Sequence, residues 1–309
     1  MSSITTAPNP ALIPRGDTHA TLEFYRPPAD GSPPVNHVTN AADTNTSTRN
    51  YSTTPERVLI RDLRTDPRTR PAPTLDHDGF QLITPGATTG GPATSGPGSA
   101  TALATAPESA FAADASIAAQ YYPEVRALLL AAVPGATRVH IFDHTVRRAL
   151  PGAARAPVNV VHVDQTAASV EKRVRHHLPD DAEALLRARY RIVNVWRPLG
   201  AAVESFPLAF ASSASVRDED IVPVKHVYEN GYTGETAAVK FHPDQKWWYL
   251  SGVTTDERIL IECFDSEALK EGNEVKGGRT PHSAFEHPDT APTARPRESI
   301  EVRALVFGP

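Results

Sequence analysis

Cysteine is nearly absent from this sequence: Cys263 is the only one among 309 residues. A lone thiol excludes an intramolecular disulfide framework and a cysteine-based zinc cluster. The thiol lies in the apolar segment 258–264, which predicts a buried strand residue rather than a nucleophile. Any metal site must therefore draw on histidine and carboxylate side chains.

An excess of positive charge is also lacking. The chain has 31 basic and 36 acidic residues, for a net charge of −5. No basic stripe is available to neutralise phosphates, so we expect no nucleic acid partner.

Long apolar runs are missing as well. No stretch approaches about 18 apolar residues, and the first residues show no basic segment followed by an apolar one. We therefore expect a soluble, intracellular protein located in the cytoplasm, as a monomer or homodimer, with no membrane partner.

Proline, by contrast, is abundant. The 29 prolines cluster with Ala, Thr and Ser in the segments 1–18, 27–56 and 84–108. The last of these segments cannot form a regular element and is typical of a loop. We predict a flexible N-terminal tail over 1–18 and one domain over 19–309, with a mobile Gly/Pro/Thr-rich loop near 84–108.

Strand patterns dominate the second half of the chain. Apolar and β-branched segments recur about a dozen residues apart, a spacing typical of sandwiches and barrels. Helical spacing is confined to 107–132, restarting at Pro123, and to segments from Thr166 or Ser169 to about 177 and from 179 to 189. The predicted fold is mainly β (α+β): a double-stranded β-helix (jelly-roll, cupin-like) core with flanking helices and a loop-rich N-terminal portion.

His162 and Asp164 are the most informative pair in the sequence. They lie two residues apart after the apolar run 157–161, so on a strand they would share a face. With a distant histidine, His282, they match a 2-His-1-carboxylate triad, which holds Fe(II) and leaves positions open for a co-substrate and O2. A surface hydrogen-bonded pair is the alternative for His162 and Asp164 alone.

Arg297 and Ser299 follow His282 by roughly one strand. A guanidinium can hold a carboxylate bidentately, which suits the far end of a keto acid chelated to iron, and Ser299 could donate to the same carboxylate. The alternative is an edge strand with the charges of Arg297 and Arg303 facing solvent.

Two further candidate binding residues lie on the segment 190–198, which has a clear strand pattern. Ile192, Asn194 and Trp196 share one face, and Arg191 lies on the other. We predict that Arg191 and Asn194 contact the co-substrate or the substrate, although a buried Asn bonded to a nearby loop is an open alternative. Arg147 and Arg148 are candidates for neutralising a carboxylate-bearing substrate, or they face water.

Taken together, these segments resemble the fungal gibberellin desaturase and asaB-type hydroxylase/desaturase family, which includes cephalosporin 7α-methoxylation subunits. The matching segments cover most of residues 20–307, and they are 142–148, 160–166, 189–199, 248–250, 262–266, 281–285 and 297–303.

The resemblance implies an Fe(II)- and 2-oxoglutarate-dependent oxygenase with a jelly-roll core, acting on a small secondary-metabolite intermediate by hydroxylation, desaturation or oxidative ring closure. It places iron at His162, Asp164 and His282 and the 2-oxoglutarate carboxylate at Arg297. Two alternatives stay open: a non-catalytic accessory or binding subunit of a biosynthetic oxygenase, and a cupin-like metal hydrolase or isomerase using Zn(II).

Overall fold

The computed structural model describes residues 12–40, 43–65, 72–84 and 106–309. The predicted flexible tail and the predicted mobile loop lie largely outside these residues. From residue 12 onward the tail is bonded to the domain: the Gly16 amide donates to Asp62 Oδ2 at 2.9 Å, and the Tyr249 hydroxyl donates to the Gly16 carbonyl at 2.8 Å.

Strands form most of the regular structure. In chain order they are β1 (Thr18–Arg26), β2 (Val35–Asn40), β3 (Asp43–Arg49), β4 (Ser52–Asp62), β5 (Phe80–Ile83), β6 (Arg138–Arg148), β7 (His162–Val163), β8 (Arg189–Pro198), β9 (Leu208–Ala211), β10 (Ile221–Tyr228), β11 (Thr233–Val239), β12 (Trp247–Tyr249), β13 (Arg258–Asp265), β14 (His282–Ala284) and β15 (Glu298–Gly308).

Helices are few and short. They are α1 (Leu75–Asp78), α2 (Asp114–Ser116), α3 (Tyr122–Ala132), α4 (Ala167–His177) and α5 (Ala182–Leu185), with a π-helical turn over Ile117–Tyr121 between α2 and α3. None of the helices in the described ranges is long and apolar enough to cross a membrane.

Two sheets face each other across the main core. The larger has the order β1-β4-β12-β9-β14-β7-β11-β10-β2-β3, and the smaller has the order β5-β13-β8-β15-β6. Apolar side chains from both sheets form one buried cluster, as the contact of Phe80 on β5 with Phe210 on β9 shows, with ring centroids 4.7 Å apart. This curled, mainly β arrangement confirms the predicted jelly-roll core.

The alternation of β8 determines which side chains reach the space between the sheets. Ile192 and Trp196 join the core between the sheets, whereas Val193 and Val195 pack with α3 on the outer face of the smaller sheet. Asn194 shares the inward face with Ile192 and Trp196, as predicted from the period of two.

The helix prediction over 179–189 is wrong in its length. The structure has only α5, and the chain enters β8 at Arg189, which pairs with Asp265 on β13. Of the residues in α5 only Ala182 is fully buried, too small an apolar face to support a longer helix. The chain stays helical from Asp114 to Ala132, and Pro123 directly follows the π-helical turn Ile117–Tyr121 as the second residue of α3, so the predicted interruption takes the form of a π-helical turn and not of a restart.

Candidate metal centre

His162 and His282 are cross-strand neighbours in the middle of the larger sheet. β7 lies between β14 and β11, and the antiparallel pairing of β14 with β7 places His282 directly opposite His162. Their ring centroids are 4.4 Å apart. His282 is buried, and His162 is half-buried at the surface of a cleft between the two sheets.

Asp164 completes a cluster with these two histidines. One ligand atom from each of His162, Asp164 and His282 lies within 4.8 Å of the other two. Asp164 Oδ1 is 3.4 Å from His162 Nε2. Two imidazole nitrogens and one carboxylate oxygen grouped in this way suit a first-row divalent metal with open positions on its other side.

Both imidazoles are held with Nε2 available as the ligand. His162 Nδ1 lies 2.8 Å from the Val160 carbonyl, and His282 Nδ1 lies 3.0 Å from the Thr280 carbonyl. Because a carbonyl only accepts, each Nδ1 carries the proton and each Nε2 keeps its lone pair. This carbonyl contact is the usual outer-shell support of a metal-bound histidine.

The environment also keeps the ligands in the protonation states that metals require. Burial and the neighbouring His162 lower the pKa of His282 to about 4, so its ring is neutral at pH 7. Burial alone would raise the pKa of Asp164, but Arg303 and His162 hold it well below its usual value. The cluster therefore offers the neutral imidazole of His282 and the carboxylate of Asp164 as ligands, beside the free Nε2 of His162.

The second oxygen of Asp164 is already engaged. Asp164 Oδ2 accepts from Asn194 Nδ2 at 2.8 Å and from Arg303 Nε at 2.9 Å. These bonds fix the carboxylate with Oδ1 toward the histidines, which favours one oxygen as the ligand. The predicted inward position of Asn194 is confirmed, but its contact is with Asp164.

Arg303 belongs to a buried charge network beneath the cluster. Besides Asp164 it donates to Thr145 Oγ1 at 3.0 Å, to Asp143 Oδ2 at 3.1 Å and to Glu301. The interpretation of this segment as an edge strand with solvent-facing charges is wrong, because β15 lies between β8 and β6 and its polar row faces the cleft.

Arg297 lies in the same cleft without an acidic partner. Its guanidinium donates to the Phe206 carbonyl and lies 5.7 Å from the centroid of the Trp196 ring, and Nε is buried without a hydrogen bond. No carboxylate in the described part of the chain pairs with it. Burial and the neighbouring Arg147 lower its pKa to about 9, so the free protein holds a cation that lacks an anion.

Both histidines of the cluster line this cleft. The other lining residues are Thr145, Arg147, Val158, Trp196, Leu208, Arg297, Ser299, Glu301 and Arg303.

Arg191 is the predicted co-substrate residue that the structure places away from the cleft. It points to the outer face of β8, where it lies 3.6 Å from Asp265 and donates to the Pro134 carbonyl at 2.9 Å. Three residues separate it from Asn194, so strand alternation puts the two side chains on opposite faces. The predicted contact of Arg191 with co-substrate or substrate is therefore corrected.

Glu301 and Thr145 are site residues that the sequence interpretation missed. Burial raises the pKa of Glu301, and the positive charge of Arg303 opposes this rise. The signal was present on β15, where Ser299, Glu301 and Arg303 alternate with the apolar residues Ile300 and Val302. A row of polar side chains on an otherwise apolar strand favours a polar cleft once that strand is known to be internal.

Asn194→Ala should weaken metal binding about tenfold, because outer-shell hydrogen bonds to metal ligands typically contribute about 10- to 100-fold in affinity and Arg303 still holds Asp164. The measurement is an anaerobic Fe(II) titration. Asn36→Ala is the matched control: Asn36 is also buried, but its amide contacts His226 Nδ1 at 3.1 Å, outside the cluster. Equal iron affinity in both variants would contradict the role given to Asn194.

Comparison with known proteins agrees with this fold and cluster. A protein-family model described as "Oxidoreductase/YMDC permease-like domain" matches residues 22–307. The chain is 40% identical to the hydroxylase/desaturase poxK of Penicillium oxalicum over 62% of this chain and 66% of poxK, just under two thirds of that relative. It is 30% identical to the hydroxylase/desaturase efuI of Hormonema carpetanum over 96% of this chain and 97% of efuI.

A solved structure is similar over nearly the whole chain. The iron and alpha-ketoglutarate-dependent endoperoxidase NvfI superposes with a TM-score of 0.76 at 26% sequence identity, covering 96% of this chain and 99% of NvfI.

The fold and the His-Asp-His cluster are those of the Fe(II)/2-oxoglutarate-dependent oxygenases. The chain belongs to the oxidoreductase family whose model it matches and, within it, to the fungal hydroxylase/desaturase group. The predicted family is thereby confirmed, while its gibberellin and cephalosporin branches stay predictions.

Proposed function

We propose that this protein is an Fe(II)- and 2-oxoglutarate-dependent oxygenase that acts on an unactivated C–H bond of a small secondary-metabolite intermediate. The observation that carries the proposal is the His162, Asp164 and His282 cluster, which shares a cleft with the unpaired cation Arg297. The activities named for the similar proteins poxK, efuI and NvfI support it.

Each side chain has a defined task in this proposal. His162 Nε2, His282 Nε2 and Asp164 Oδ1 would hold Fe(II). Arg297 and Ser299, which line the same cleft, bind the far carboxylate of 2-oxoglutarate. The buried guanidinium of Arg297 then gains the anion that the free protein lacks.

The cofactor chemistry and the task of the protein are separate. When bound, iron with 2-oxoglutarate and O2 supplies an oxidative decarboxylation to succinate and CO2, together with the oxidising power needed to remove hydrogen from a C–H bond. The chain positions the substrate: Trp196, Leu208 and Val158 form apolar parts of the cleft wall. The position of the substrate determines which hydrogen is removed, and the groups held beside that carbon determine whether hydroxylation, desaturation or ring closure follows.

Two features favour this proposal over the alternatives. An accessory subunit without turnover would not need an intact ligand cluster with supported tautomers. A Zn(II) hydrolase or isomerase would have no task for a buried, unpaired arginine. The cytoplasmic location and the monomeric or homodimeric state stay predictions.

The experiment is a spectroscopic titration of the purified protein. Fe(II) and 2-oxoglutarate added without O2 should produce the weak visible charge-transfer band of an iron-chelated keto acid, and Zn(II) in place of Fe(II) should give no band. Admission of O2 should then release succinate. Absence of the band, with iron shown to be bound, would refute the proposal.

A further inference from the structure

A second arginine of the cleft also lacks an acidic partner. Arg147 lies on β6 directly opposite Ser299 of β15, and it lines the cleft near the metal cluster. Its guanidinium donates to the Ala156 carbonyl at 3.0 Å. Within the described ranges no carboxylate forms an ion pair with it.

One acidic side chain, Glu301, favours the charge of both arginines, but it is already paired with a third arginine. Glu301 lies two residues beyond Ser299 on the same face of β15, but its carboxylate is bonded to Arg303. Arg147 and Arg297 therefore face one small space as two like charges. Burial lowers the pKa of Arg147, and Arg147 itself contributes to the lowered pKa of Arg297. One bound anion would leave one of these cations unpaired.

The two arginines are neighbours on the smaller sheet, but Arg297 lies toward β8 and Arg147 lies on β6, with β15 between them. Arg297 is next to Phe206 and Trp196, between the sheets. Arg147 is on β6, the edge strand of the smaller sheet, and contacts the connecting segment 149–161 through Ala156. Arg297 is thus placed for the co-substrate, and Arg147 for a second molecule that enters past the edge strand.

We propose that Arg147 binds a carboxylate of the main substrate, so that the substrate is an organic acid with an apolar skeleton. The inference rests on the proposed function, because it assigns Arg297 to 2-oxoglutarate. Val158 and Leu208 supply apolar surface beside the two cations. A charge-assisted bond to Arg147 would fix one end of the substrate and thereby select the carbon presented to the iron.

The test compares an acid with its uncharged isostere. Cyclohexanecarboxylate and cyclohexanecarboxamide are titrated against the Zn(II)-loaded protein by ligand-observed NMR, with 2-oxoglutarate held at saturation so that Arg297 is occupied. The acid should bind the wild type at least about tenfold more tightly than the amide, as expected for a hydrogen bond to a charged group. Arg147→Gln should remove this preference and leave the affinity for 2-oxoglutarate unchanged.

Arg148→Gln is the matched control. Arg148 is adjacent in sequence but exposed, and its Nε donates to Glu298 at 2.6 Å, so this variant should keep the preference for the acid. Equal binding of acid and amide to the wild type, or no binding of the acid, would overturn the inference. Weaker 2-oxoglutarate binding in Arg147→Gln would instead assign Arg147 to the co-substrate and also overturn it. None of these results depends on the charge-transfer band, so the proposed function is judged separately.

Discussion

Replacing His282 with alanine is expected to abolish stable iron binding and, with it, turnover. In the proposed site His282 would supply one of three ligand atoms, and the remaining pair, His162 and Asp164, would leave the iron with too few protein ligands. Loss of an outer-shell contact alone typically costs about 10- to 100-fold in metal affinity, so loss of a ligand should cost more than about a hundredfold. The measurement is iron content after anaerobic desalting, followed by the charge-transfer band and succinate release.

The control for this prediction is another partly buried histidine. His226 contacts Thr236 Oγ1 through Nε2 at 2.8 Å and Asn36 through Nδ1, and it lies outside the cluster. His226→Ala should therefore lose stability without losing the band. Asp164→Ala should behave like His282→Ala and should also leave Arg303 without one of its acidic partners. A band that survives in both ligand variants would show that iron binds elsewhere.

The local structure around the site was predictable because it depends on neighbours in sequence. Of the two predicted cap candidates, Thr166 and Ser169, Thr166 is the cap of α4: Ser169 N donates to its hydroxyl at 3.3 Å, and Ser169 Oγ accepts from Thr166 N at 2.9 Å. Side chains alternate between the two faces of a strand, and this alternation predicted that Asn194 and Trp196 lie on the same face of β8. Short-range patterns of this kind carry the information that fixes caps and strand faces.

The distance between the two histidines in sequence explains why their pairing could not be derived from pattern alone. His162 and His282 meet because β7 and β14 are neighbours in the larger sheet. Strand order and register depend on packing of the whole domain, and a spacing in sequence does not specify them. The chemistry of the residue types and the family resemblance supplied this link instead.

The errors have the same origin. Whether a polar strand faces solvent or a cleft depends on what lies beside it, and the sequence of β15 does not show that β8 and β6 flank it. Arg303 was therefore given an open choice between solvent and ligand, whereas it bonds to Asp164. Arg191 was chosen for its charge, although the strand's own alternation already placed it opposite Asn194.

Arg297→Ala should raise the 2-oxoglutarate requirement about a hundredfold or more while leaving iron binding nearly unchanged. The guanidinium would donate to the far carboxylate inside a buried cleft, where each hydrogen bond to a charged group contributes about 1.5–3 kcal/mol and each 1.4 kcal/mol is a factor of about ten. Iron would be held by His162, Asp164 and His282, and in the described part of the chain no hydrogen bond or ion pair joins any of them to Arg297. The measurement is a titration of the charge-transfer band with 2-oxoglutarate at saturating Fe(II).

The same variant should also change how 2-oxoglutarate affects stability. Burial and Arg147 both oppose the charge on Arg297 in the free protein. Replacing Arg297 should therefore lower the free energy of unfolding of the metal-loaded protein only slightly. In the wild type, 2-oxoglutarate at about a hundred times its dissociation constant should stabilise the fold by about 2.7 kcal/mol, and most of this gain should vanish in Arg297→Ala. The stabilisation by 2-oxoglutarate in Arg297→Lys should be intermediate between that of the wild type and that of Arg297→Ala, because an ammonium group keeps the charge but loses the bidentate geometry. An unaltered 2-oxoglutarate requirement in both variants would move the carboxylate to Arg147, the other unpaired cation of the cleft.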